Sequence, residues 1–440
     1  MNIISGFSKL SKLEKINYLV ENFLNGSSFS KDKIKSFWHD SENEQRVFDD
    51  FSENTITNFY APYGVVPNFL LNNKVHCIPM VIEESSVVAA SAKAAKFWLE
   101  RGGFKAEVVS TTKVGQVHFI WNGNSEQLFN FFEESKKEIL ESISPLVVNM
   151  NKRGGGLLSL EMKDCSGLEE GYYQLHGEFE TCDAMGANFI NSVLEAVGKK
   201  WQELVMTNLK FEQAQRDIQI VMCILSNYTP NCLVKAWVEC DITELEDSGL
   251  GMSAEDFAAK FSRAVRIARK DVNRAVTHNK GIFNGIDAVV LATGNDFRAI
   301  EACGHAYASR DGQYRSLSNC IIENGKFKFE LEIPLALGTV GGLTSLHPMS
   351  KISLDMLGTP NAKELMMITA AIGLAQNFGA VRSLVTTGIQ KGHMKMHLMN
   401  ILNHLEANDE EREKAKTQFD TQVISFNSVR DYIAGLRNYQ

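Results

Sequence analysis

A lysine and an aspartate flank a long apolar run in residues 277–296, THNKGIFNGIDAVVLATGND. Lys280 lies between an asparagine and a glycine at one end, and Asp296 follows the other end. A lysine beside packed hydrophobic chain can stabilise an oxyanion in a dry site, and a nearby aspartate would set its charge and pKa. Because continuous helix would hold the two residues far apart, they can meet only if the chain turns at Gly294. A surface loop that enters a core helix explains the same residues without any chemistry.

A second group that could transfer a proton lies at a predicted strand-to-helix junction. Residues 75–82 have the composition of a strand, residues 87–99 that of an alanine-rich helix, and Glu83 and Glu84 lie between them. Glutamate at a helix start usually interacts only with the helix dipole. Burial would raise the pKa of such a carboxyl towards the range in which it donates a proton. The residue types alone leave both roles open.

The glycine of DAMGAN, residues 183–188, lies where a helix is predicted to open. A glycine at this place lets a phosphate approach backbone N–H groups at the positive end of the helix dipole. A glycine needed only for packing has the same signature, and no G-x-G-x-x-G fingerprint occurs in the chain.

Taken together, several blocks resemble the bacterial-type (class II) 3-hydroxy-3-methylglutaryl-coenzyme A (HMG-CoA) reductases. The resemblance runs from about Glu53 to about His397, in the same order as in that family. Its blocks are THNKGIFNGID, ATGND, DAMGAN, GLAQNFGA at 373–380 and GIQKGHM at 388–394.

The resemblance implies a role for individual residues of this chain. The catalytic residues it implies are Glu84, Lys280, Asp296 and His393. The substrate-binding residues are Ser86, Arg274, Asn284 and Gln376, and the cofactor-binding residues are Asp183, Met185, Gly186, Ala187 and Asn188. A solvated cation at a helix end is the alternative for Arg274. Thr57 departs from the family pattern, because a glycine is expected there; the local turn should differ if that glycine has a positive φ.

A reduced nicotinamide cofactor, NADPH or NADH, is also implied. An acid that accepts from the ribose 2′-OH favours NAD, whereas cations accommodate the 2′-phosphate of NADP. The position at which some family members carry aspartate falls near Val147, and Lys152 and Arg153 are close by. These residues favour acceptance of NADPH and leave NADH open.

The predicted fold is α+β, with three domains. Residues 110–226 follow the order strand, helix, two strands, helix, strand, which is the split βαβ pattern of a ferredoxin-like domain. By the resemblance this is the dinucleotide-binding domain, inserted in a large mixed α/β substrate domain of residues 1–109 and 227–380, with a helical N-terminal part. Residues 381–440 should form a small helical C-terminal domain, in which Gly388 and Gly392 precede His393 and suggest a lid.

Composition narrows the classes of partner. The chain has 440 residues, 44% apolar and 22% charged, so it can bury a large core. A net charge of −8 argues against nucleic acid or an anionic membrane as partner. The absence of a secretion signal or of about 18 consecutive apolar residues predicts a cytoplasmic protein. Scattered cysteines predict reduced thiols, and the histidine spacing predicts no metal site.

The function implied is the reversible reduction of HMG-CoA to mevalonate and free CoA by two hydrides, a step of the mevalonate pathway of isoprenoid metabolism. The resemblance also implies an obligate homodimer or a higher assembly of dimers. The alternative is a CoA-ester or nucleotide-binding module without turnover. Such a module would share the glycine loops but would lack Glu84, Lys280, Asp296 and His393 together.

Overall fold

The computed structural model describes residues 3–84, 86–246, 251–386, 398–420, 422 and 424–438. Their buried hydrophobic side chains form three separate clusters. The first contains residues from Val66 to Ala106 and from Cys232 to Val381, the second extends from Val117 to Ile218, and the third from Leu398 to Ile433. These clusters are consistent with a large, an inserted and a C-terminal domain, whose boundaries stay predictions.

The fold is mixed, with helices and strands alternating along much of the chain. In chain order, the helices are α1 (Lys12–Phe23), α2 (Ser28–Lys35), α3 (Glu42–Asp49), α4 (Val87–Leu99), α5 (Ser125–Asn151), α6 (Ala187–Thr207), α7 (Ala254–Ala268), α8 (Val272–Ala292), α9 (Phe297–Ala308), α10 (Leu343–Leu346), α11 (Pro348–Met356), α12 (Ala362–Val385), α13 (Asp409–Gln418) and α14 (Phe426–Asn438). Residues 398–404 are also helical.

The strands form three antiparallel sheets. In chain order, they are β1 (Tyr63–Leu71), β2 (Lys74–Val81), β3 (Lys105–Val108), β4 (Lys113–Trp121), β5 (Gly156–Asp164), β6 (Tyr172–Glu180), β7 (Ile218–Leu225), β8 (Leu233–Asp241), β9 (Ser318–Glu323) and β10 (Lys326–Pro334). A β1–β2 hairpin and a sheet in the order β3-β8-β10-β9 belong to the large domain.

The inserted domain has the strand order β5-β6-β4-β7, with α5 after its first strand and α6 after its third. This βαββαβ arrangement is the ferredoxin-like pattern that the sequence predicts. The sequence pattern predicts these helices over residues 126–143 and 189–197, and both are longer in the structure. Helix α5 continues through Pro145 and α6 continues to Thr207, because Val147, Trp201 and Val205 extend the buried stripes that pack against the sheet.

Helix α12 is the central helix of the large domain, packed against α4, α7 and α8 and against β8. It is apolar on all sides, as expected of a helix surrounded by other elements. Among the described residues it alone is long and apolar enough to cross a membrane. However, 78% of its most apolar window is buried inside the protein, as in the core helix of a soluble fold.

The β1–β2 hairpin places Glu84 beside α8 of the same domain. Its two-residue loop, Asn72–Asn73, has positive φ at both positions, which matches the twist of the flanking strands. The hairpin packs on α4 and α8, and Pro79 is tolerated because β2 has a partner on one side only. Strand β2 therefore ends beside α8 just before Glu84.

The structure corrects one local prediction. The sequence suggested a helix that ends near Arg274, then a loop that contains Lys280. Instead α7 ends at Ala268, and α8 begins at Val272 with Asp271 as its N-cap, which accepts a hydrogen bond from the Arg274 N–H at 3.0 Å. Arg274 thus lies in the first turn of a helix and Lys280 in its middle, because the buried residues of α8 continue without a break from Ala275.

Thr57 secures the N-terminal helices. Its hydroxyl donates to the carbonyl of Ile34 at 2.6 Å, in the last turn of α2, and its φ is not positive. The conformational freedom of a glycine is therefore not required at this position.

Candidate active site

One stripe of α8 carries polar side chains at helical spacing. Lys280, Asn284 and Asp287 follow one another at i, i+4 and i+7, so they lie on one face. Val276 and Leu291 extend the stripe at its ends and are 49% and 40% exposed. The remaining faces of α8 are mostly buried, so this stripe is the side that a ligand can reach.

Glu84 contacts this stripe from the end of β2. Its Oε2 accepts a hydrogen bond from Lys280 Nζ at 2.7 Å and from Asn284 Nδ2 at 3.4 Å. Its Oε1 accepts from the Ser86 hydroxyl at 3.2 Å. We call these four residues the acid–cation cluster. The structure thus brings together two residues implied to be catalytic and two implied to bind substrate.

The acid–cation cluster is open to solvent on one side. The Lys280 side chain is 61% exposed and that of Glu84 is 33% exposed. An ammonium and an amide that already share an acceptor can also donate to a carbonyl oxygen placed beside them. The cluster can therefore hold a developing oxyanion next to a carboxyl group.

Close packing against α12 fixes the position of α8. A Cβ at Gly285 would lie 2.8 Å from the Ile372 carbonyl oxygen and 2.9 Å from Gln376 Cβ, and a Cβ at Gly373 would lie 2.7 Å from Ile286. Two glycines thus let the helices approach closely. Because each glycine faces the other helix, α8 cannot rotate without a clash.

A buried polar network anchors the far side of α8. His278 Nε2 lies 2.6 Å from the Ser318 hydroxyl, which donates to Asn377 Oδ1 at 2.8 Å. Burial lowers the pKa of His278 to about 3, so this histidine is neutral. Asn279 continues the anchor by donating to the carbonyl of Arg315 and accepting from the N–H of Leu317.

Two other residues implied to bind substrate lie outside the acid–cation cluster. Gln376 is 5% exposed and accepts from the Ser91 hydroxyl at 2.8 Å, which links α12 to α4 behind Glu84. Arg274 precedes Lys280 by six residues, about 600° of helix, so it lies on a different side of α8. Burial lowers its pKa.

The other end of α8 closes in a Schellman motif at Gly294, whose φ is +70°. The Asn295 N–H donates to the Val290 carbonyl and the Gly294 N–H to that of Leu291. Asp296 then becomes the N-cap of α9, accepting from two backbone N–H groups and from the Arg298 guanidinium at 3.1 Å. Burial acts to raise the pKa of Asp296, but these hydrogen bonds outweigh it and lower the pKa.

Asp296 and Lys280 do not meet within one chain. Twelve residues of α8 separate Lys280 from Ala292, which is about 18 Å of helix. Among the described residues, Asp296 bonds only to Arg298 and the first turn of α9, and Lys280 bonds to Glu84. The predicted turn at Gly294 exists, yet it directs Asp296 to the end of α8 that is remote from Lys280.

The residues of DAMGAN lie at this remote end. Gly186 is the N-cap of α6 with φ +93°, and it has no side chain to satisfy the first N–H groups of that helix. Those N–H groups can donate hydrogen bonds to the oxygens of a phosphate. Asp183 instead turns to the large domain, where its Oδ1 accepts from the Ala362 N–H at 2.9 Å.

A glycine-rich turn joins this loop to the Asp296 segment. The Thr339 N–H donates to the Asp183 carbonyl at 2.8 Å, and the Gly338 N–H donates to Asn295 Oδ1 at 2.9 Å. A Cβ at Gly341 or Gly342 would meet nothing within 4 Å. These two glycines therefore leave the turn without side chains that would obstruct a phosphate at the N-terminus of α6.

The position near Val147, at which some family members carry an acid, is not available to a cofactor. Val147 is 8% exposed and packs in the core of the inserted domain. Arg153 is exposed, and its carbonyl accepts from Cys182 Sγ at 3.3 Å, just before DAMGAN. The exposed Arg153 therefore lies beside the DAMGAN loop, as the sequence suggested, and the contact that the cofactor ribose makes stays a prediction.

Three further predictions concern the C-terminal histidine, the cysteines and metal binding. His393, Gly388 and Gly392 lie outside the described residues. All eight cysteines are free, four of them buried and four partly buried. The described part of the chain has no group of three His, Cys, Asp or Glu side chains that could hold a metal ion.

Sequence reasoning missed two titratable groups with limited access to solvent. Lys113, the first residue of β4, lies beneath the DAMGAN loop, and nothing in its sequence context sets it apart. Asp287 belongs to the stretch that the sequence singled out, but its neighbour Glu301 lies on α9. Burial, and then the Glu301 carboxyl, raise the pKa of Asp287 to about 8. Only the packing of α9 on α8 reveals this pair.

Comparison with known proteins gives this arrangement a family. The family model described as hydroxymethylglutaryl-coenzyme A reductase matches residues 14–398. The chain belongs to this family. It is therefore an oxidoreductase of the HMG-CoA reductase type, as the resemblance implied.

Individual relatives agree with this assignment. The HMG-CoA reductase of Archaeoglobus fulgidus is 35% identical over 90% of this chain and 86% of its own length. A probable HMG-CoA reductase of Borreliella burgdorferi is 35% identical over 91% of this chain and 89% of its own. A class II HMG-CoA reductase from Streptococcus pneumoniae, solved with bound NADPH, has a TM-score of 0.72 and 38% identity over 87% of this chain and all of its own.

Proposed function

We propose that this protein reduces HMG-CoA to mevalonate and free CoA, reversibly, with two hydrides from reduced nicotinamide cofactor and two protons. The observation that carries the proposal is the 2.7 Å contact between Lys280 Nζ and Glu84 Oε2, supported by Asn284 and Ser86. This is an oxyanion-stabilising cation beside a proton donor. A binding module without turnover has no need of that pairing.

The bound cofactor supplies the hydrides, and the chain supplies charge and protons. Lys280 and Asn284 donate hydrogen bonds to the carbonyl oxygen of the thioester, which becomes negative as it is reduced. His393 protonates the CoA thiolate as it leaves, since the reference pKa of histidine is close to neutral. Glu84, protonated by solvent on the open side of the cluster, then gives its proton to the alkoxide of the second reduction, and its hydrogen bond with Lys280 provides a route for that proton.

We further propose that the site is completed by a second copy of the chain. The hydride donor and the carbonyl carbon must approach to about 3–3.5 Å. The acid–cation cluster, however, lies near the middle of α8, and the cofactor loop, residues 183–188, lies at its C-terminal end, about 18 Å along the helix from Lys280. Leu346 and Ile352 on α10 and α11 are 61% and 49% exposed, and Val276 and Leu291 extend the polar stripe. Such apolar surface favours a subunit contact. A homodimer, or a higher assembly of dimers, would bring the cofactor loop of one subunit to the cluster of the other.

Acceptance of NADPH is part of the proposal. Arg153 is exposed beside the cofactor loop and can pair with the 2′-phosphate. NADH stays an alternative, and a location in the cytoplasm stays a prediction.

The proposal is tested by the near-ultraviolet absorbance of NADPH mixed with the protein and HMG-CoA, with NADH assayed in parallel. We expect two molecules of cofactor to be oxidised for each CoA released. Flat absorbance with both cofactors would contradict the function. A preference for NADH of more than about 100-fold, about 2.7 kcal/mol, would contradict the NADPH assignment alone.

His393 can be tested because only the first reduction releases a thiolate. His393→Gln should lower HMG-CoA reduction by about 10²–10⁴-fold, the usual loss for a general acid. Reduction of supplied mevaldehyde should stay much closer to normal. Equal losses in the two assays, with the protein folded and dimeric, would limit His393 to packing.

A further inference from the structure

Lys113 is a buried lysine that the proposed reaction does not use. It is the first residue of β4 and is only 4% exposed. Lysine is rarely buried to this degree without partners that satisfy its charge. Its surroundings therefore indicate what the ammonium does.

The Lys113 ammonium holds the turn that precedes DAMGAN. Its Nζ donates to Thr181 Oγ1 at 2.5 Å and to the Ala184 carbonyl at 2.9 Å. The Thr181 hydroxyl donates to the same carbonyl at 2.7 Å, and the Ala184 N–H returns to the Thr181 carbonyl at 3.0 Å. One cation thus fixes both ends of a single turn.

That turn supports the N-cap residue of α6, Gly186. A Cβ at Gly186 would lie 2.4 Å from Thr181 Cγ2, so Gly186 rests directly on the threonine. Lys113, Thr181 and Gly186 are stacked in this order. The lysine charge lies one side chain below the N-terminus of α6, where backbone N–H groups and the helix dipole favour an anion.

We propose that Lys113 is a positioning residue for the dinucleotide: it holds the Thr181–Gly186 turn in shape and adds positive charge beneath the N-terminus of α6, where the cofactor pyrophosphate binds. The proposal rests on the proposed function, and it deepens it by adding a residue that does not touch the cofactor. Because NADPH and NADH share the pyrophosphate, both should depend on Lys113 equally. A contact with the 2′-phosphate would instead affect NADPH alone.

Substitution tests the charge directly. Lys113→Met keeps the length of the side chain and removes the cation, while Lys113→Arg keeps a cation. Lys137→Met is the matched control, since Lys137 lies on α5 of the same domain with its side chain 89% exposed. We expect Lys113→Met to raise the Kd of both NADPH and NADH by about 10-fold, which is about 1.4 kcal/mol. The Kd of HMG-CoA should not change, Lys113→Arg should retain most of the affinity, and Lys137→Met should retain all of it.

The pH dependence of cofactor binding supplies a test that a purely structural role would not meet. Burial lowers the pKa of Lys113, and the facing groups Cys232, Glu180, Cys182 and Asp183 oppose that shift only in part. Affinity should be full while the ammonium is present and should fall as pH rises through the lowered pKa, below the usual lysine value of about 10.4. Burial raises the pKa values of the Cys182 and Cys232 thiols, that of Cys232 to about 12, so both thiols ionise at higher pH than a free thiol does.

Arginine does not titrate in this range, so Lys113→Arg should abolish the loss of affinity at alkaline pH. An unchanged Kd for both cofactors in folded Lys113→Met would overturn the proposal. If that variant does not fold, an alkaline loss in wild type that Lys113→Arg leaves in place would overturn it equally. Wild-type protein that binds NADPH but does not oxidise it with HMG-CoA would contradict the proposed function and leave the Lys113 test intact.

Discussion

Two parts of α8 differ in what surrounds them: the part around Lys280, near the middle of the helix, and the C-terminal end that leads to Asp296. Around Lys280, side chains from α8 and from the segment after β2 converge on one carboxylate and leave it partly open. At the Asp296 end, main-chain N–H groups dominate. A Schellman motif, a helix N-cap, a glycine turn and the DAMGAN loop are joined by N–H groups that donate to carbonyl oxygens and to the side chains of Asn295 and Asp296. The first arrangement suits a reacting carbonyl, and the second suits the phosphates of a dinucleotide.

The difference supports the proposal that one chain carries two half-sites. Each part has the groups for one ligand, and about 18 Å of helix separates Lys280 from the C-terminal end of α8. In the proposed dimer a second copy of the chain, rather than a large internal movement, brings the two ligands together. The buried glycine contacts between α8 and α12 make the internal movement costly.

One substitution in each region tests whether the acid–cation cluster and the DAMGAN loop bind different ligands. Lys280→Ala should lower both HMG-CoA and mevaldehyde reduction by about 10²–10³-fold, because both steps place negative charge on an oxygen. It should leave the Kd of NADPH unchanged. Gly186→Ala, whose new Cβ would clash with Thr181, should weaken NADPH binding and leave HMG-CoA binding unchanged. Loss of both affinities in either variant would show that the ends are not independent.

A substitution with a smaller expected effect on activity tests whether the packing of α8 against α12 holds Lys280 in place. Gly285→Ala forces a Cβ against Ile372 and Gln376, so α8 must move away from α12. We expect a loss of about 1–3 kcal/mol in unfolding free energy and about 10-fold in kcat.

Gly281→Ala is the control on the same helix, one turn away. Its Cβ meets nothing within 4 Å, so the free energy of unfolding should rise by about 0.5–1 kcal/mol. Thermal unfolding that treats the two alanines alike would remove the packing argument.

The smallest expected change in stability concerns Asp287, which lies on α8 between Lys280 and Asp296. Its pKa is raised to about 8 in the folded protein, whereas an unfolded aspartate titrates near 3.9. The folded state therefore binds more protons between about pH 4 and 8, and its stability falls as pH rises through that window. Asp287→Asn should escape this loss and exceed wild type at pH 8 by on the order of 1 kcal/mol.

Asp311→Asn should behave in the opposite way. The Arg315 hydrogen bond lowers the pKa of Asp311, so ionised Asp311 stabilises the fold at neutral pH and the variant loses that contribution. Melting temperatures from pH 4 to 8 measure both variants. A constant difference between Asp287→Asn and wild type would contradict the assigned pKa.

The sequence predicted the secondary-structure elements better than the tertiary contacts between them. The βαββαβ order of the inserted domain and the α4 helix follow from periodicity and turn residues, which act over a few positions. The motif blocks also pointed to Glu84, Ser86, Lys280 and Asn284 individually. Their contact depends on the β1–β2 hairpin packing on α8, across about 200 residues, which no local pattern encodes.

Other features of the site could not be predicted from the sequence, for physical reasons. Arg274 was placed at the wrong end of a helix, because Asp271 as N-cap was not recognised as a start signal. Lys113 looked like an ordinary strand lysine, since its burial comes from a loop that follows it by about 70 residues. The distance between Asp296 and Lys280 became evident only once α8 proved continuous between them.

The central claim, that the two half-sites combine across subunits, is tested most directly by complementation. Lys280→Ala removes the cation that holds the oxyanion, and Asp296→Asn removes the aspartate that the family resemblance implies to be catalytic. The two proteins, each expected to be inactive alone, are co-expressed, and the randomly paired mixture is assayed for HMG-CoA-dependent NADPH oxidation. Random pairing in a two-fold dimer restores one intact site in each mixed dimer, so about a quarter of wild-type activity should return. Activity no higher than that of either variant alone, with mixed dimers demonstrably present, would contradict the account.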